Sequence, residues 1–309
     1  MNDVAGDVPE HAAGEVETPE ATSARSGADA PGANAPGAAL RIGLFGGGGA
    51  ASARRASLAR VGAALAWEGD DDGALADLPT GLDLLVVAGP VAGRAAAVVA
   101  AAARGVAAFV EWPPAPGLRE AHALVRLGEE TGADVGVARS GRFAPSLARA
   151  GVRPGGGAAS AAWPLVVVDA TASGPLLGGH VLADLVDLAA CLTRGTSLRR
   201  LDARLVRDAA HAPIALAAAL RFTSGAYAQI ALAPAQEGAS PRRRVTAAGP
   251  GSGLAGTLDL DLGPERAAAL DAETRAVLDA VARGVPPPVT ALDALALVRL
   301  LERVTARLR

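Results

Sequence analysis

The sequence predicts an α/β protein in two parts: a doubly wound parallel sheet, then an α+β domain with an open, mostly antiparallel sheet. Between residues 40 and 140, short apolar strands alternate with helical stretches across brief links, which is typical of βαβ units. From residue 164 the pattern changes to β-rich segments joined by turns, and two helices close the chain. The 309 residues are enough to build two hydrophobic cores.

The first 38 residues differ in composition from everything that follows. They are rich in Ala, Gly and Pro and carry seven acidic residues against one basic residue, Arg25, so we expect a disordered tail. Subtracting the tail's charge of −6 from the total of −3 leaves +3 for residues 39–309. This excess is too small to indicate a nucleic-acid partner. The arginine triplet 242–244 is expected to be the solvated start of a strand.

The first domain is predicted for residues 39–142. Its strands are expected at 40–45, 65–68, 82–89, 106–112 and 134–140, and its helices at 52–65, 90–105 and 118–132. Apart from Asp83 near its start, the third strand is apolar, as a strand covered on both faces would be. Pro113 and Pro114 end the fourth strand because they lack the N–H that a ladder needs. Only residues 70–81 separate the second strand from the third, so a helix and a strand common in such folds are expected to be missing there.

The second domain is predicted for residues 143–309. Strands are expected within 164–170, 199–206, 218–232 and 243–249. The penultimate helix carries an apolar stripe and ends at Gly284. Thr290 and Asp293 have the spacing of a capping box and predict the start of the last helix.

The composition limits both the chemistry and the location of the protein. All 29 basic residues are arginines, so no lysine can act as a general acid or form a Schiff base. The single cysteine, Cys191, excludes an internal disulfide and favours a reducing, cytoplasmic compartment. The chain starts without the pattern of a secretory signal, and its apolar runs are shorter than the ~20 residues that span a bilayer. We therefore expect a cytoplasmic protein without a membrane partner, and the sequence offers no metal-ligand motif.

A glycine-rich turn joins the first strand to the first helix. Gly46, Gly48 and Ala51 form a G-x-G-x-x-A pattern, and Gly47 and Gly49 complete a run without side chains. Such a turn lets backbone N–H groups approach a pyrophosphate at a helix N-terminus. The sequence predicts a dinucleotide site here; the alternative is a glycine turn with no ligand.

An acidic segment follows about 20 residues later, where dinucleotide-binding folds hold the ribose hydroxyls. Glu68 and Asp70 are the candidates, and we prefer Glu68 because Asp70, Asp71 and Asp72 are typical of a solvated acidic turn. Carboxylates in this place would repel a 2′-phosphate. The sequence therefore favours NAD over NADP as the cofactor.

The order of the motifs resembles that of the Gfo/Idh/MocA oxidoreductases over roughly residues 40–309. The family's strand-end motif A-T-P-N-x-x-H is similar to residues 88–94, where Arg94 replaces the histidine, and E-K-P is similar to Glu111-Trp112-Pro113. Residues 142–145, RFAP, resemble the segment that leads into the family's second domain. The resemblance implies an N-terminal Rossmann domain, with Gly89, Pro90, Glu111 and Trp112 beside the cofactor. It also implies a C-terminal sheet that often forms a homo-oligomer interface.

The family's catalytic signature, D-x-x-x-H-x-x-D on a helix, partners the lysine of E-K-P. The matching stretch here gives His180, Asp184 and Asp187, with the first two residue types exchanged, and Trp112 stands in place of the lysine. An indole does not release a proton near neutral pH, so His180 is the best candidate acid/base, with Asp184 to orient it. Alternatively, His180 and Asp184 only pair or cap the helix. Asp187 is expected to hold structure.

Two functions follow from these observations. The first is an NAD-dependent oxidoreductase that transfers hydride to or from a sugar, polyol or related hydroxyl or carbonyl substrate, a small molecule. The second is a non-catalytic nucleotide-binding sensor, regulator or scaffold with the same fold. The missing lysine and the altered helix signature favour the second, but another side chain can take over a proton donor's place.

Overall fold

The computed structural model describes residues 39–70, 73–155, 162–172, 180–236, 242–251 and 254–308. The side chains of His180 and of residues 250–258 also lie outside the described part. The described residues belong to one compact unit. The tail predicted for residues 1–38 lies outside the described residues, and the domain boundary predicted at residue 142 stays a prediction.

A five-stranded parallel sheet forms the first part of the molecule. Its strands are β1 (Ile42–Phe45), β2 (Leu65–Gly69), β3 (Leu84–Val87), β4 (Ala107–Val110) and β5 (Val135–Val137), in the order β2-β1-β3-β4-β5. The helices that alternate with them are α1 (Gly48–Arg60), α2 (Val91–Ala102) and α3 (Leu118–Thr131). All four residues of β3 are buried, as expected for a strand covered on both faces. The predicted doubly wound parallel sheet is confirmed.

The first sheet ends at β2, as predicted from the short segment between the second and third strands. Between β2 and β3 the described residues, 70 and 73–83, form turns and bends, with neither a helix nor a strand among them. No described strand pairs with the outer side of β2. The residues of β2 accordingly alternate between half-buried and exposed, as in a strand with one covered face.

A six-stranded sheet forms the second part. Its strands are β6 (Leu165–Ala172), β7 (Leu198–Arg207), β8 (Pro213–Phe222), β9 (Tyr227–Pro234), β10 (Arg243–Gly251) and β11 (Leu254–Asp261), in the order β11-β10-β6-β9-β8-β7. Only β6 and β9 pair in parallel; the other neighbours are antiparallel. A 3₁₀ turn (Ser140–Phe143) and the short helix α4 (Pro145–Arg149) lead into this part, and α5 (His180–Thr193), α6 (Arg266–Ala282) and α7 (Ala291–Leu308) complete it.

In the described part of the chain, helices cover one face of the second sheet. α5 packs on β6 and β9, and α7 packs on β7. The core side chains of this face are buried; they include Val166, Val168, Leu216, Leu220, Ile230 and Leu232. On the opposite face Leu165, Tyr227 and Val206 are exposed. The predicted open, mostly antiparallel sheet is confirmed.

The last two helices return the chain to the first part of the molecule. α6 packs against α1, where Ser57 Oγ donates to Asp271 Oδ1 at 2.7 Å and Arg60 Nη2 lies 2.8 Å from the same oxygen. α7 begins with the predicted capping box, in which Thr290 N donates to Asp293 Oδ2 at 2.8 Å. Within the described ranges, no helix combines the length and apolar character that a membrane crossing requires.

Candidate functional site

The glycine turn brings the ends of β1 and β3 into direct backbone contact. Gly46 has φ +113°, and a Cβ atom built on it would lie 2.1 Å from the Gly89 nitrogen. No side chain fits in that space, so glycine is required at residue 46 both for its conformation and for the close approach. The Gly46 N–H donates to the Gly69 carbonyl at 2.7 Å, which ties the turn to the end of β2 as well.

Helix α1 begins at this turn with an uncovered N-terminus. Gly47 occupies the N-cap position without a side-chain hydrogen bond to the helix. Gly47, Gly48 and Gly49 are exposed, and a Cβ on any of them would meet no atom within 4 Å. Since the first N–H groups of a helix have no partners inside it, they face open space here at the positive end of the helix dipole. The geometry suits a phosphate group.

Ala51 lies on the other side of this first helical turn. It is buried in the cluster that contains Leu44 and Val86, so its small side chain lets α1 lie close against the sheet. The last position of the G-x-G-x-x-A pattern therefore serves packing, while residues 47–49 leave the approach to the helix end free.

Glu68 lies at the end of β2, and its partner within the protein is Arg55 on α1. Arg55 Nε lies 3.1 Å from Glu68 Oε2, and both side chains are about half exposed. Hydrogen bonds from Arg55 lower the pKa of Glu68 below its ordinary value. Asp70 is exposed, and Asp71 and Asp72 lie outside the described residues.

Arg94 holds the ends of β3 and β4 together at the edge of the sheet beside the glycine turn. It is buried, and its guanidinium donates to the carbonyl oxygens of Gly89 at 2.8 Å, Glu111 at 2.8 Å and Pro113 at 2.6 Å. Burial lowers the pKa of Arg94. Three carbonyls therefore replace a carboxylate partner, and the arginine fixes the strand ends that were predicted to line the cofactor site. Pro90, next to Gly89, is the exposed N-cap of α2.

Glu111 is engaged in a buried ion-pair network. Its carboxylate contacts Arg54 Nε, and Arg54 Nη2 lies 2.6 Å from Glu273 Oε2. Arg54 is only 2 % exposed. Burial alone would lower the pKa of Arg54, but the carboxylates of Glu273 and Glu111 raise it above its ordinary value. The acid of the E-W-P motif thus joins β4 to α1 and α6, and its contact with a cofactor stays a prediction.

Trp112 is buried beneath a charged group. It is 7 % exposed, and the Arg139 guanidinium carbon lies 4.6 Å from the centre of the indole ring system, a cation–π arrangement. Arg139 Nη2 donates to the Ala183 carbonyl at 3.1 Å, which connects this pair to α5. One face of the ring is therefore occupied, and stacking of Trp112 on a nicotinamide or ribose stays a prediction.

The two aspartates of α5 each contact two arginines. Asp184 Oδ1 lies 3.3 Å from Arg139 Nη2, and its Oδ2 lies 3.0 Å from Arg243 Nη2. Asp187 is 3.1 Å from Arg139 Nε and 2.6 Å from Arg142 Nη2. Burial alone would raise the pKa of Asp187, but the charges of Arg139 and Arg142 outweigh it and hold the pKa below its usual range.

The structure brings Trp112, Asp184 and Asp187 into one cluster, with Arg139 between them. His180 begins α5, but its side chain lies outside the described residues, so its pairing with Asp184 stays a prediction. Sequence reasoning missed Arg54, Arg139 and the roles of Arg94 and Arg243. The one signal available was Arg94 at the position where the family pattern has a histidine.

A parallel sheet with an exposed glycine turn, followed by a second, mostly antiparallel sheet with helices packed on it, defines a Rossmann-type α/β fold. Neither a protein-family model nor a curated protein sequence matches the chain. Many solved structures do match it in fold.

The structure neighbours are Gfo/Idh/MocA-type oxidoreductases, and this chain has their fold. A myo-inositol dehydrogenase from Corynebacterium glutamicum is similar with a TM-score of 0.73 at 16 % identity, over 88 % of this chain and 97 % of that one. An oxidoreductase from Agrobacterium radiobacter, solved with NAD⁺, L-tartaric acid and magnesium, gives 0.69 at 17 %, over 87 % and 96 %. A UDP-N-acetylglucosamine 3-dehydrogenase from Acidithiobacillus ferrooxidans gives 0.69 at 17 %, over 88 % and 98 %. The resemblance inferred from the sequence motifs is confirmed at the level of the fold.

Proposed function

We propose that this protein binds NAD at the glycine turn and acts as an oxidoreductase on a hydroxyl or carbonyl group of a sugar, polyol or related small molecule. The observation that carries the proposal is the uncovered N-terminus of α1, where residues 47–49 are exposed and leave room for a diphosphate. The fold shared with a myo-inositol dehydrogenase and with an NAD⁺-bound oxidoreductase supports it.

NAD is preferred over NADP because Glu68 places a carboxylate at the end of β2. A glutamate is ionised at neutral pH, and the negative charge favours ribose hydroxyls over a phosphate. Arg55 balances part of that charge, so the preference is expected to be moderate.

The reacting end of the site would lie where the strand ends β3 and β4 face α5. When bound, the nicotinamide accepts or donates a hydride. The residues of this chain have the remaining tasks: Arg94 fixes the strand ends, and His180 takes the proton of the substrate hydroxyl as the hydride leaves its carbon. Asp184, which Arg139 and Arg243 hold in place, would position His180 one helical turn away.

A second candidate is a non-catalytic nucleotide-binding sensor, and one observation favours it. Both aspartates of α5 are bound by arginines, and Trp112, at the position of the family's lysine, is buried under Arg139. Among the described side chains of this cluster, none is a free acid or base poised for proton transfer.

Calorimetric titration with NAD and NADP tests the binding step. Gly47→Val is the informative variant, because Gly47 has an extended backbone (φ −121°) that valine adopts and open space around its Cβ position. We expect it to fold normally and to lose NAD affinity at least tenfold. Gly117→Val is the control, since Gly117 is also an extended N-cap (φ −159°, on α3), and its Cβ would lie 3.2 Å from the end of the Glu120 side chain. Equal affinity in wild type and Gly47→Val would reject the site.

A dehydrogenase screen over sugars and polyols separates the two candidate functions. For an enzyme, His180→Ala should lower turnover by about 10² or more with nucleotide affinity nearly unchanged. Tight NAD binding without turnover on any substrate would favour the sensor.

We further propose a homo-oligomer that uses the open face of the second sheet, where Leu165, Tyr227 and Val206 are exposed. Leu165→Glu should shift the mass measured by light scattering toward the monomer. An unchanged mass for the variant would exclude this face. The cytoplasmic location expected from the composition stays a prediction.

A further inference from the structure

A groove of about 480 Å³ lies on the second sheet, between β7 and the last turns of α7. Arg199 and Arg200 project from β7, and Arg303 and Arg307 project from α7. β7 is the edge strand of its sheet, and none of the residues that line the groove belongs to the glycine turn or the α5 cluster.

The groove has an excess of positive charge. Among the described residues that line it, the one acid is Asp202, whose Oδ2 lies 3.1 Å from Arg200 Nε. Arg303 has one long contact, from Nη1 to the Leu198 carbonyl at 3.5 Å. In the described part of the chain, Arg199 and Arg307 have neither a hydrogen-bond nor an ion-pair partner. The four guanidinium groups and the one carboxylate give these lining residues a net charge of +3, which attracts anions.

Two local features make the arginines converge. The ladder between β7 and β8 shifts register between Leu198 and Arg200, so Arg199 is the extra residue of a bulge, a feature that redirects side chains. Arg303 and Arg307 are four residues apart on α7 and therefore share a helix face, about 6 Å apart along its axis. The arginines therefore surround a compact site and do not form an extended row along the surface.

The chemistry of the groove indicates the class of ligand. Guanidinium groups pair in a bidentate manner with phosphate oxygens and stay charged at any physiological pH. None of the described lining residues is aromatic, so they offer no surface on which nucleobases could stack. We propose that the groove binds a small polyanion that carries two phosphate groups, at a site separate from the proposed nucleotide site.

Inorganic pyrophosphate is the probe, titrated by calorimetry into the full chain. Because the glycine turn could also accept a diphosphate, the titration is done in the Gly47→Val background. We expect binding that weakens with added salt and that is stronger than binding of orthophosphate. In the same background, Arg303→Gln with Arg307→Gln should raise the Kd at least tenfold. The matched control is Arg126→Gln with Arg266→Gln, which removes equal charge from exposed positions on α3 and α6.

Three results would overturn the proposal. The first is no pyrophosphate binding in the Gly47→Val background, which would leave the arginines as protection of a sheet edge. The second is an equal loss in the control pair, which would indicate unspecific attraction. The third is competition by a hexaglutamate peptide that binds more tightly than pyrophosphate, which would assign the groove to an acidic polypeptide. None of these depends on whether NAD binds, so the two proposals fail separately.

Discussion

The guanidinium of Arg139 lies 4.6 Å from the centre of the Trp112 ring system and is almost fully buried. The motif that residues 111–113 resemble has a lysine at the position of Trp112, whereas in this chain the positive charge beside residue 112 comes from Arg139, in the segment after β5. A desolvated cation–π contact contributes about 2 kcal/mol, and Arg139 adds ion pairs to Asp184 and Asp187. Trp112 therefore packs within a group formed with Arg139 and the two aspartates of α5. A lysine at residue 112 would disrupt this group.

Trp112→Lys should destabilise the protein by at least about 3 kcal/mol, because it removes a buried aromatic side chain and places a second cation beside Arg139. Urea unfolding followed by circular dichroism measures the change. Trp112→Phe keeps an aromatic face for Arg139 and should lose less. Equal stability of the two variants would contradict the stacked arrangement.

Gly46→Ala should destabilise the protein more than a glycine replacement at an open site. The added methyl group would lie 2.1 Å from the Gly89 nitrogen, in a backbone conformation that alanine rarely adopts, so the ends of β1 and β3 must separate. Gly105→Ala is the control, since Gly105 has φ +68° but no atom within 4 Å of its Cβ position. The comparison uses thermal unfolding, and a Tm loss no greater for Gly46→Ala than for Gly105→Ala would show that the two strand ends are not in contact.

Asp187→Asn should cost about 3–5 kcal/mol at neutral pH, because it leaves Arg139 and Arg142 buried without a carboxylate between them. The folded-state pKa of Asp187 is depressed, so its contribution is present above the ordinary carboxyl value near 3.8 and is lost as pH falls through the folded value. The stability difference between wild type and variant should therefore shrink below about pH 4. Urea unfolding at pH 7 and pH 3 measures both quantities.

The control for this experiment is Asp259→Asn. Asp259 pairs with Arg244 on the surface of the second sheet, where water screens the pair, so the variant should be nearly as stable as wild type. A constant difference between wild type and Asp187→Asn from pH 7 to pH 3 would show that the carboxylate is not held ionised by the two arginines.

Cys191 should be inert in the folded protein. Desolvation raises the pKa of its thiol to about 11, so the thiolate is scarce at pH 8, and the residue is only partly exposed. A chromogenic thiol reagent should react slowly with native protein and completely in denaturant. Since Cys191 is the only cysteine, the signal belongs to one residue. Fast reaction of the native protein would contradict the burial of this residue.

The strands and helices of the first part could be predicted from the alternation of apolar runs, but their ends could not. α1 was expected at residues 52–65, whereas it begins at Gly48 and ends at Arg60. Its start was missed because the glycines that make the turn also form the first helical turn. It ends early because Gly62 adopts φ +80°, which sequence alone does not reveal.

The candidate site likewise has one part that the sequence could predict and one part that it could not. The glycine turn lies within one continuous segment, and its pattern predicts its geometry. The contacts of Arg54 could not be predicted, because its partners Glu111 and Glu273 are 57 and 219 residues away along the chain. An arginine on a helix rich in polar residues ordinarily indicates a solvated face. Only tertiary packing turns it inward.

The outer side of β2 is the feature with the widest practical consequence. No described strand or helix lies beyond it, so in the proposed complex no such described element would cover the outer side of the adenine ring of a dinucleotide bound at the glycine turn. We therefore expect the site to accept analogues that carry a fluorophore or a resin tether on that ring. Adenine-linked affinity media should then retain this protein, and free cofactor should elute it.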